Sequence, residues 1–409
     1  MQLYELLNEL LSLIDLSSFD KAIKSKIFFR PYRDQTSLIV IDQKITEYKK
    51  VKNNLIKYFT QNISSNFTEE TIDDCIKRNL LSAKINNVLY TIKNQEDFFK
   101  NLTSIEPSTM QIITRIEGIS LENCQTPIQM GCFEMGYNHD LPEKLGKENF
   151  LYLKTNITHI YDYNMPFKKA SAYFLDFNRL LLFITKDISH NYNILINNLF
   201  CIINNDNLIT TQFCEYYLYD LKWNNIAACY HSNSFRPFDM NILLSSSNYT
   251  QLNDLWNFYQ QIKNNPKSSK ITDIQKRILS ASLAVGESIR SEDEKNSLIY
   301  TCIAIEALFS FDEGQLFQRS ITDKLSDCLA FIIGKDLKHR KEIIKFTKEI
   351  YKARSALVHG SLSSKNIDFH RMNTLLRDAI IELLNNPKYK SLKTINQLYD
   401  MITDAKLSY

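Results

Sequence analysis

Glycine is scarce in this chain, with eight in 409 residues and none before Gly118. Loops that cradle phosphate need glycine for left-handed turns and close backbone approach, so none is expected before that point. No GxGxxG, GxxxxGK or GxSxG motif occurs anywhere, which removes the dinucleotide, P-loop and serine-hydrolase signatures. Cysteine is present but unorganised: the eight stand at 75, 124, 132, 201, 214, 229, 302 and 328, without a CxxC pair. That pattern fits reduced, mostly buried thiols of a cytosolic protein. Cys229-Tyr-His231 is a close Cys/His pair with no second pair at ligand spacing, so no metal and no cofactor is expected. Charge of one sign is lacking too. Forty-nine Lys and Arg face 46 Asp and Glu, and the balance of +3 attracts nucleic acid only through a local patch. No run reaches the ~18 apolar residues of a membrane span. The opening Met1-Gln-Leu-Tyr-Glu-Leu-Leu-Asn-Glu carries acids where a secretory signal carries bases. The expected setting is the cytoplasm, without a membrane partner.

The chain is long enough for two domains or more. Residues 1–105 read as mainly helical: Leu3, Leu6, Leu7, Leu10 and Leu11 recur at helical spacing, and Lys44 to Gln61 carries Val51, Leu55 and Phe59 four apart. Ser37 to Ile41 and Val88 to Ile92 read as short extended pieces. Residues 106–263 read as an α+β or mainly β domain, a possible sensor, with strands at Gln111 to Ile116, Phe150 to Leu153, Ala170 to Phe174, Arg179 to Thr185 and Phe213 to Leu218. Ser189 to Asn204 reads as an interleaved helix. Phe150, Tyr152, Tyr161, Tyr163, Phe167, Tyr173, Phe174 and Phe177 fit either a stacking surface for bases or a buried aromatic core, and burial tendencies favour the core.

Leu252 to Ile262 is a further helix, and Asn264-Asn-Pro-Lys-Ser-Ser-Lys270 reads as a linker. Helices then follow at Ile271 to Ile289, Glu292 to Phe309, Leu316 to Ile333, Leu337 to Leu357 and Asn366 to Leu384, a five-helix bundle over 271–386. A helical tail, centred on Leu392 to Ile402, occupies 387–409. The acidic pairs Asp73-Asp74 and Glu292-Asp-Glu294 are expected at helix starts, where they favour the dipole.

Chemistry concentrates where the fourth bundle helix ends. Arg354-Ser-Ala-Leu-Val-His359-Gly360 offers a fixed fork of donors suited to phosphate oxygens and an imidazole able to exchange a proton near neutral pH. A capping role for both residues fits equally well. At 100° per residue from Lys338, the residues Ile343, Phe346, Ile350, Ala353 and Leu357 fall at about 60–140°, and Lys338, Lys341, Lys345, Lys348 and Lys352 at about 280–360°. The lysines form a solvated face or a rail for an RNA backbone. Arg354 falls near 160°, at the edge of the apolar stripe, where its donors need a carboxylate, a phosphate or a partner subunit. His359 lies ~140° further round, so the two converge only if the helix unwinds near Val358 or if two copies meet across a two-fold axis. Glu306 sits among Ile299, Cys302 and Ile303 in a helix apolar almost all round. It calls for a cation, and Arg354 or Arg319 could supply one.

These residues resemble a known family. Arg354-Ser-Ala-Leu-Val-His359-Gly, preceded by Glu349-Ile-Tyr-Lys-Ala, is similar to the R-x(4 to 6)-H signature of the HEPN superfamily. With Ala304-Ile-Glu-Ala-Leu308 two helices earlier, the likeness is greatest to the ApeA-like branch and covers roughly Ile271 to Leu384. The resemblance implies a metal-independent endoribonuclease acting as a homodimer, often in antiphage abortive infection or a toxin system. Arg354 and His359 would be the active-site residues, with Glu306, Ser355, Tyr351 and Arg319 supporting them. The chain departs from the pattern at Asp327-Cys-Leu-Ala330, where Cys328 stands in place of a frequent Arg. Some members of the family act instead as non-catalytic dimerisation or RNA/nucleotide-binding modules. The expected reaction is attack of an RNA 2′-hydroxyl on the adjacent phosphate, with tRNA or another structured RNA as a candidate substrate, assisted by His359 and Arg354. The first 260 residues would sense a trigger or position the RNA.

Overall fold

Leu3, Leu6, Leu7, Leu10 and Leu11 all fall on one side of α1 (Leu3–Ser12), and all are buried. The structure, a computed structural model, describes residues 2–18, 28–29, 36–64, 66–106, 108–117, 119–122, 124, 127–140, 150–160, 165–185, 195–203, 207–211, 217–220, 225–228, 238–264, 271–291, 293–311, 321–360 and 368–407. Backbone proximity divides the chain into two units. One comprises Met1–Gln111, Ile157–Ala170 and Ile203–Asn207, and the other Ile112–Asn156, Ser171–Ile202 and Leu208–Tyr409.

In the first unit, β1 (Ile14–Ser18), β2 (Phe28–Phe29) and β3 (Thr36–Val40) form an antiparallel sheet in the order β1-β3-β2. Helices α2 (Ile45–Asn62), α3 (Glu69–Ile85) and the short α4 (Lys100–Thr103) complete it. The stripe Val51, Leu55 and Phe59 meets Ile72, Ile76 and Leu80 in one core, closed by Phe98 and Phe99. Two expectations fail here. Val88 to Ile92 is not a strand, because the Asn8 side chain accepts from the Tyr90 N–H at 2.9 Å and donates to its carbonyl at 2.7 Å, in place of a neighbouring chain. Asp73 and Asp74 lie beyond the first turn of α3. Burial alone would raise the Asp73 carboxyl, but Lys52 at 2.7 Å and Lys77 at 2.5 Å more than offset it and hold its pKa below the usual carboxylate value.

The middle of the chain holds β4 (Ser108–Glu117), β5 (Ile119–Ser120), β6 (Ile128–Met130), β7 (Phe133–Tyr137), β8 (Leu151–Ile160), α5 (Met165–Thr185), β9 (Leu195–Ile203), β10 (Asn207–Thr211), β11 (Tyr217–Asp220), β12 (Asn225–Ala228) and β13 (Phe238–Asp239). Six strands pair in the order β10-β9-β4-β8-β7-β6. Within them β7 sits antiparallel between β6 and β8, with Met135 opposite Ile128 on one side and Leu153 on the other. Three expected elements are overturned. Ala170 to Phe174 and Arg179 to Thr185 are not strands but parts of α5, since Ala170, Phe174, Phe177, Leu181 and Ile184 recur four and three apart and are all buried. Leu195–Ile203 is a strand, within the Ser189 to Asn204 stretch expected to be a helix; pairing between β10 and β4 decides it. Tyr152, Phe174 and Phe177 are buried, as a core requires. Phe133 packs edge-on to Phe177 at 5.1 Å and against Tyr259 at 5.4 Å. Tyr161 and Tyr163, like Cys229 and His231, lie outside the described residues.

Helices α6 (Met240–Leu244), α7 (Ser247–Leu252) and α8 (Asp254–Asn264) lead to the bundle of α9 (Asp273–Arg290), α10 (Glu294–Phe309), α11 (Ile321–Ile333), α12 (Leu337–Val358) and α13 (Phe369–Asn385). The short α14 (Pro387–Lys390) and α15 (Ile395–Leu407) follow. A mixed α/β region followed by an all-helical one is the layout expected. Residues 265–270 of the expected linker lie outside the described residues. The bundle helices start where the sequence offers caps: Thr272 with Gln275 in a capping box, then Asp293, Asp336 and Asp368.

Two polar constructions hold the second unit together. Ser288, Ser297, Thr301 and Asn373 are buried and bond one another across α9, α10 and α13. Ser288 Oγ lies 3.0 Å from Thr301 Oγ1 and accepts from Asn373 Nδ2 at 3.0 Å, while Thr301 donates to Asn373 Oδ1 at 2.9 Å. The second is ionic. Arg179 of α5 donates to Glu287 of α9 at 2.6 Å and to Asp176 at 3.0 Å, Arg290 grips Glu287 at 2.6 Å, and Tyr259 and Lys263 of α8 reach Asp176 at 3.0 and 3.1 Å. Burial alone would raise the Glu287 carboxyl, but the two guanidiniums outweigh it and hold its pKa low. Gly286 lets the helices meet: a Cβ there would lie 2.0 Å from the Arg179 carbonyl oxygen.

Candidate functional site

The expected site residues stand on α10 and α12. Glu306, in the last turn of α10, and Arg354, one turn before the end of α12, face each other with Oε1 and Nη1 3.9 Å apart. That is attraction without a direct hydrogen bond. Both are rim residues, the side chains 33% and 40% exposed, so Glu306 is not the enclosed charge its apolar surroundings predicted. The row it shares with Ile303 opens towards solvent there; Ile303 is 40% exposed, and Val358, one turn beyond Arg354, is 64% exposed. An exposed pair at this separation contributes roughly 0.2–1 kcal/mol, so Arg354 is released from Glu306 at small cost.

Beneath the pair lie Cys302 and Tyr351. Burial pushes the Cys302 thiol up to about 12, an effect that Arg354 opposes and Glu306 reinforces. The Tyr351 hydroxyl is buried; burial first, then the charge of Glu306, raises its pKa, so the phenol stays protonated. Ser355 is exposed, and its carbonyl accepts the His359 N–H at 3.1 Å. That bond carries the helical turn through Val358. His359 is the exposed C-cap and Gly360 follows with φ +75°, the left-handed stop that its sequence position predicted. The helix does not unwind near Val358, so within one chain Arg354 and His359 keep their angular separation. Arg319 lies outside the described residues. Cys328, at the departure from the family pattern, is fully buried, with its thiol pushed up to about 12 by burial.

Comparison of the chain with known protein families, characterised proteins and solved structures gives no match. Its chemistry therefore rests on its own residues. Among the described residues no group of three or more His, Cys, Asp or Glu could hold a metal ion, and no helix is long and apolar enough to cross a membrane. On α12, Lys338, Lys341, Lys345, Lys348 and Lys352 are all exposed, opposite the buried Ile343 and Ile350; Lys348 pairs with Asp323 at 2.6 Å.

Sequence reasoning missed the Arg179, Glu287 and Arg290 network and the Asn373 network, whose partners are far apart in the chain. A signal was present for the first: Arg179 falls within Phe177-Asn-Arg179-Leu-Leu-Leu-Phe183, an apolar helix that leaves a cation without a polar face. The second had none, because a buried Asn on a helix reads like any surface Asn.

Proposed function

We propose that this protein is a metal-independent endoribonuclease that works as a homodimer, with Arg354 and His359 as its reactive pair, in antiphage defence or a toxin system. The observation that carries the reading is the loosely held Arg354 and Glu306 pair, on a rim just before an exposed His359 at the end of the same helix. The HEPN-like spacing of Arg354 and His359 adds to it. So do Ile303 and Val358, apolar side chains left exposed around the pair where a second copy would cover them. A dimer through this face lets each site draw residues from both copies, which answers the separation of Arg354 from His359 within one chain.

In the reaction, His359 takes the proton of a ribose 2′-hydroxyl as that oxygen attacks the adjacent phosphorus. The P–O5′ bond breaks, and the leaving 5′-oxygen gains a proton from a protonated imidazole or from water. The products are a 2′,3′-cyclic phosphate and a 5′-hydroxyl. Arg354 swings its fork from Glu306 to the phosphoryl oxygens, where charge gathers. General acid–base help of this kind is worth ~10²–10⁴ in rate. The nucleophile belongs to the substrate, so DNA is not cut. The N-terminal region senses the trigger or positions the RNA.

A second reading, a non-catalytic dimerisation or RNA/nucleotide-binding module, draws on the same separation of Arg354 from His359. The two readings part in one experiment: purified protein, RNA and chelator. Cleavage in chelator that stops with His359→Ala supports the nuclease; a requirement for divalent metal, or normal cleavage by His359→Ala, refutes it.

A further inference from the structure

Besides Arg354, α12 presents a second charged feature that the reaction does not use. Counted at 100° per residue from Lys338, the five lysines lie at about 280–360° and His359 at about 300°, so the imidazole stands at the end of the lysine row. The count holds to that residue because the His359 N–H still closes a helical turn on Ser355. Lys338 to Lys352 spans ~21 Å of helix axis and His359 lies ~10 Å further on. Successive lysines, three and four residues apart, rise by about 4.5 and 6 Å, close to the step between phosphates along an extended strand. The strip is narrow, since Glu349 and Glu342 mark one edge at about 20° and 40°, and at the other edge Asp323 of α11 holds Lys348 at 2.6 Å, so the RNA must displace that carboxylate or pass it by. At its far end Leu337, Lys338, Lys341, Glu342 and Lys345 line an open hollow.

We propose that this face is a track for the sugar–phosphate backbone of single-stranded RNA, delivering the strand to His359. The inference rests on the ribonuclease reading and adds a direction to it: the substrate runs along α12 from the cut towards Lys338. A lipid surface fits poorly, because a helix lying on a membrane buries an apolar face beside its lysines, and here Ile343 and Ile350 are buried within the protein. A row of flexible ammonium groups with no fixed fork suits backbone phosphates in any sequence, so the track supplies affinity and salt dependence and leaves base choice to other residues.

The test uses the full chain and a fluorescent 2′-O-methyl RNA, which binds without being cut, long enough to run the ~30 Å of the row and its end. Affinity is measured across a potassium chloride series, and KM is measured with the cleavable strand. Replacing Lys338, Lys341 and Lys345 together by Gln is expected to flatten the log–log salt slope by roughly 2, from ~0.7 per lost phosphate contact on a single strand, and to raise KM. The same three changed to Arg should restore both. If wild-type protein cuts RNA and the Gln variant keeps its slope and KM, the track is overturned while the nuclease stands. If wild-type protein neither binds nor cuts RNA, both readings fall. Gln substitutions that abolish binding to phosphatidylserine vesicles and leave RNA affinity intact would also overturn the track.

Discussion

Gly286 sets two well-measured effects against each other. In a helix interior, Ala is favoured over Gly by about 1 kcal/mol, so Gly286→Ala should stabilise α9 if nothing touched it. A Cβ there would stand 2.0 Å from the Arg179 carbonyl oxygen, 2.5 Å from its carbon and 2.8 Å from its Cα. All three are backbone atoms, so no rotamer change relieves them. Restoring ordinary contact at about 3.5 Å parts α5 from α9 by more than an ångström. That movement also stretches the 2.6 Å bond from Arg179 to Glu287. Overpacking costs typically 1–3 kcal/mol, and with the ionic network strained as well the upper end applies. After the propensity gain, a net loss of about 2 kcal/mol is expected. Trp256 is buried in the unit that contains Gly286, so urea unfolding followed by fluorescence reads the relevant transition. A variant more stable than the parent by about 1 kcal/mol would show that propensity wins and that the helices are not in close contact.

Glu287→Gln should cost about 1–3 kcal/mol at neutral pH, because two charged hydrogen bonds are weakened, while solvent screens the 43% exposed Arg290 and Arg179 keeps Asp176. The Glu287 carboxyl is held below its ordinary value when folded, so its contribution is complete above the unfolded value near 4.3 and disappears as pH falls through the lower folded one; the gap between variant and parent should close in acid. Asn373→Leu leaves Ser288 and Thr301 short of a partner inside the bundle, and fluorescence-detected unfolding should show a loss of about 1–3 kcal/mol. Arg354→Ala should lower single-turnover RNA cleavage by ~10²–10³ with little change in unfolding midpoint, since a pair 3.9 Å apart at the surface contributes little to stability. Asn8→Ala should speed amide exchange at Tyr90, whose N–H it holds; unchanged exchange would mean that the segment is fixed by other contacts.

What could be read from the sequence followed the strength of local signals. The leucines of α1 and the stripe of α2 are local, and the elements formed where those signals placed them. Gly360 likewise marked its own left-handed turn. Helix α5 was misread because its bulky residues resemble a strand when propensity is weighed ahead of period. Strand β9 was misread as a helix because a short apolar run does not reveal its pairing, here with β10 beside it in the chain and β4 far from it. In the candidate site, the side of α12 that carries Arg354 followed from counting residues, but its distance from Glu306 depends on how two helices cross. The exposure of Glu306 turned on how much of that crossing another element covers, which no spacing encodes.

Cys302 lies one turn before Glu306, fully buried, with a thiol that ionises only at about 12. Since only the thiolate attacks disulfide or maleimide reagents, the sulfur is chemically silent for as long as α10 and α12 stay closed over it. Its labelling, separated from that of the other seven cysteines by peptide mass spectrometry, therefore times the opening of this helix pair. A ligand that seals the rim slows that labelling, and a perturbation that parts the two helices speeds it.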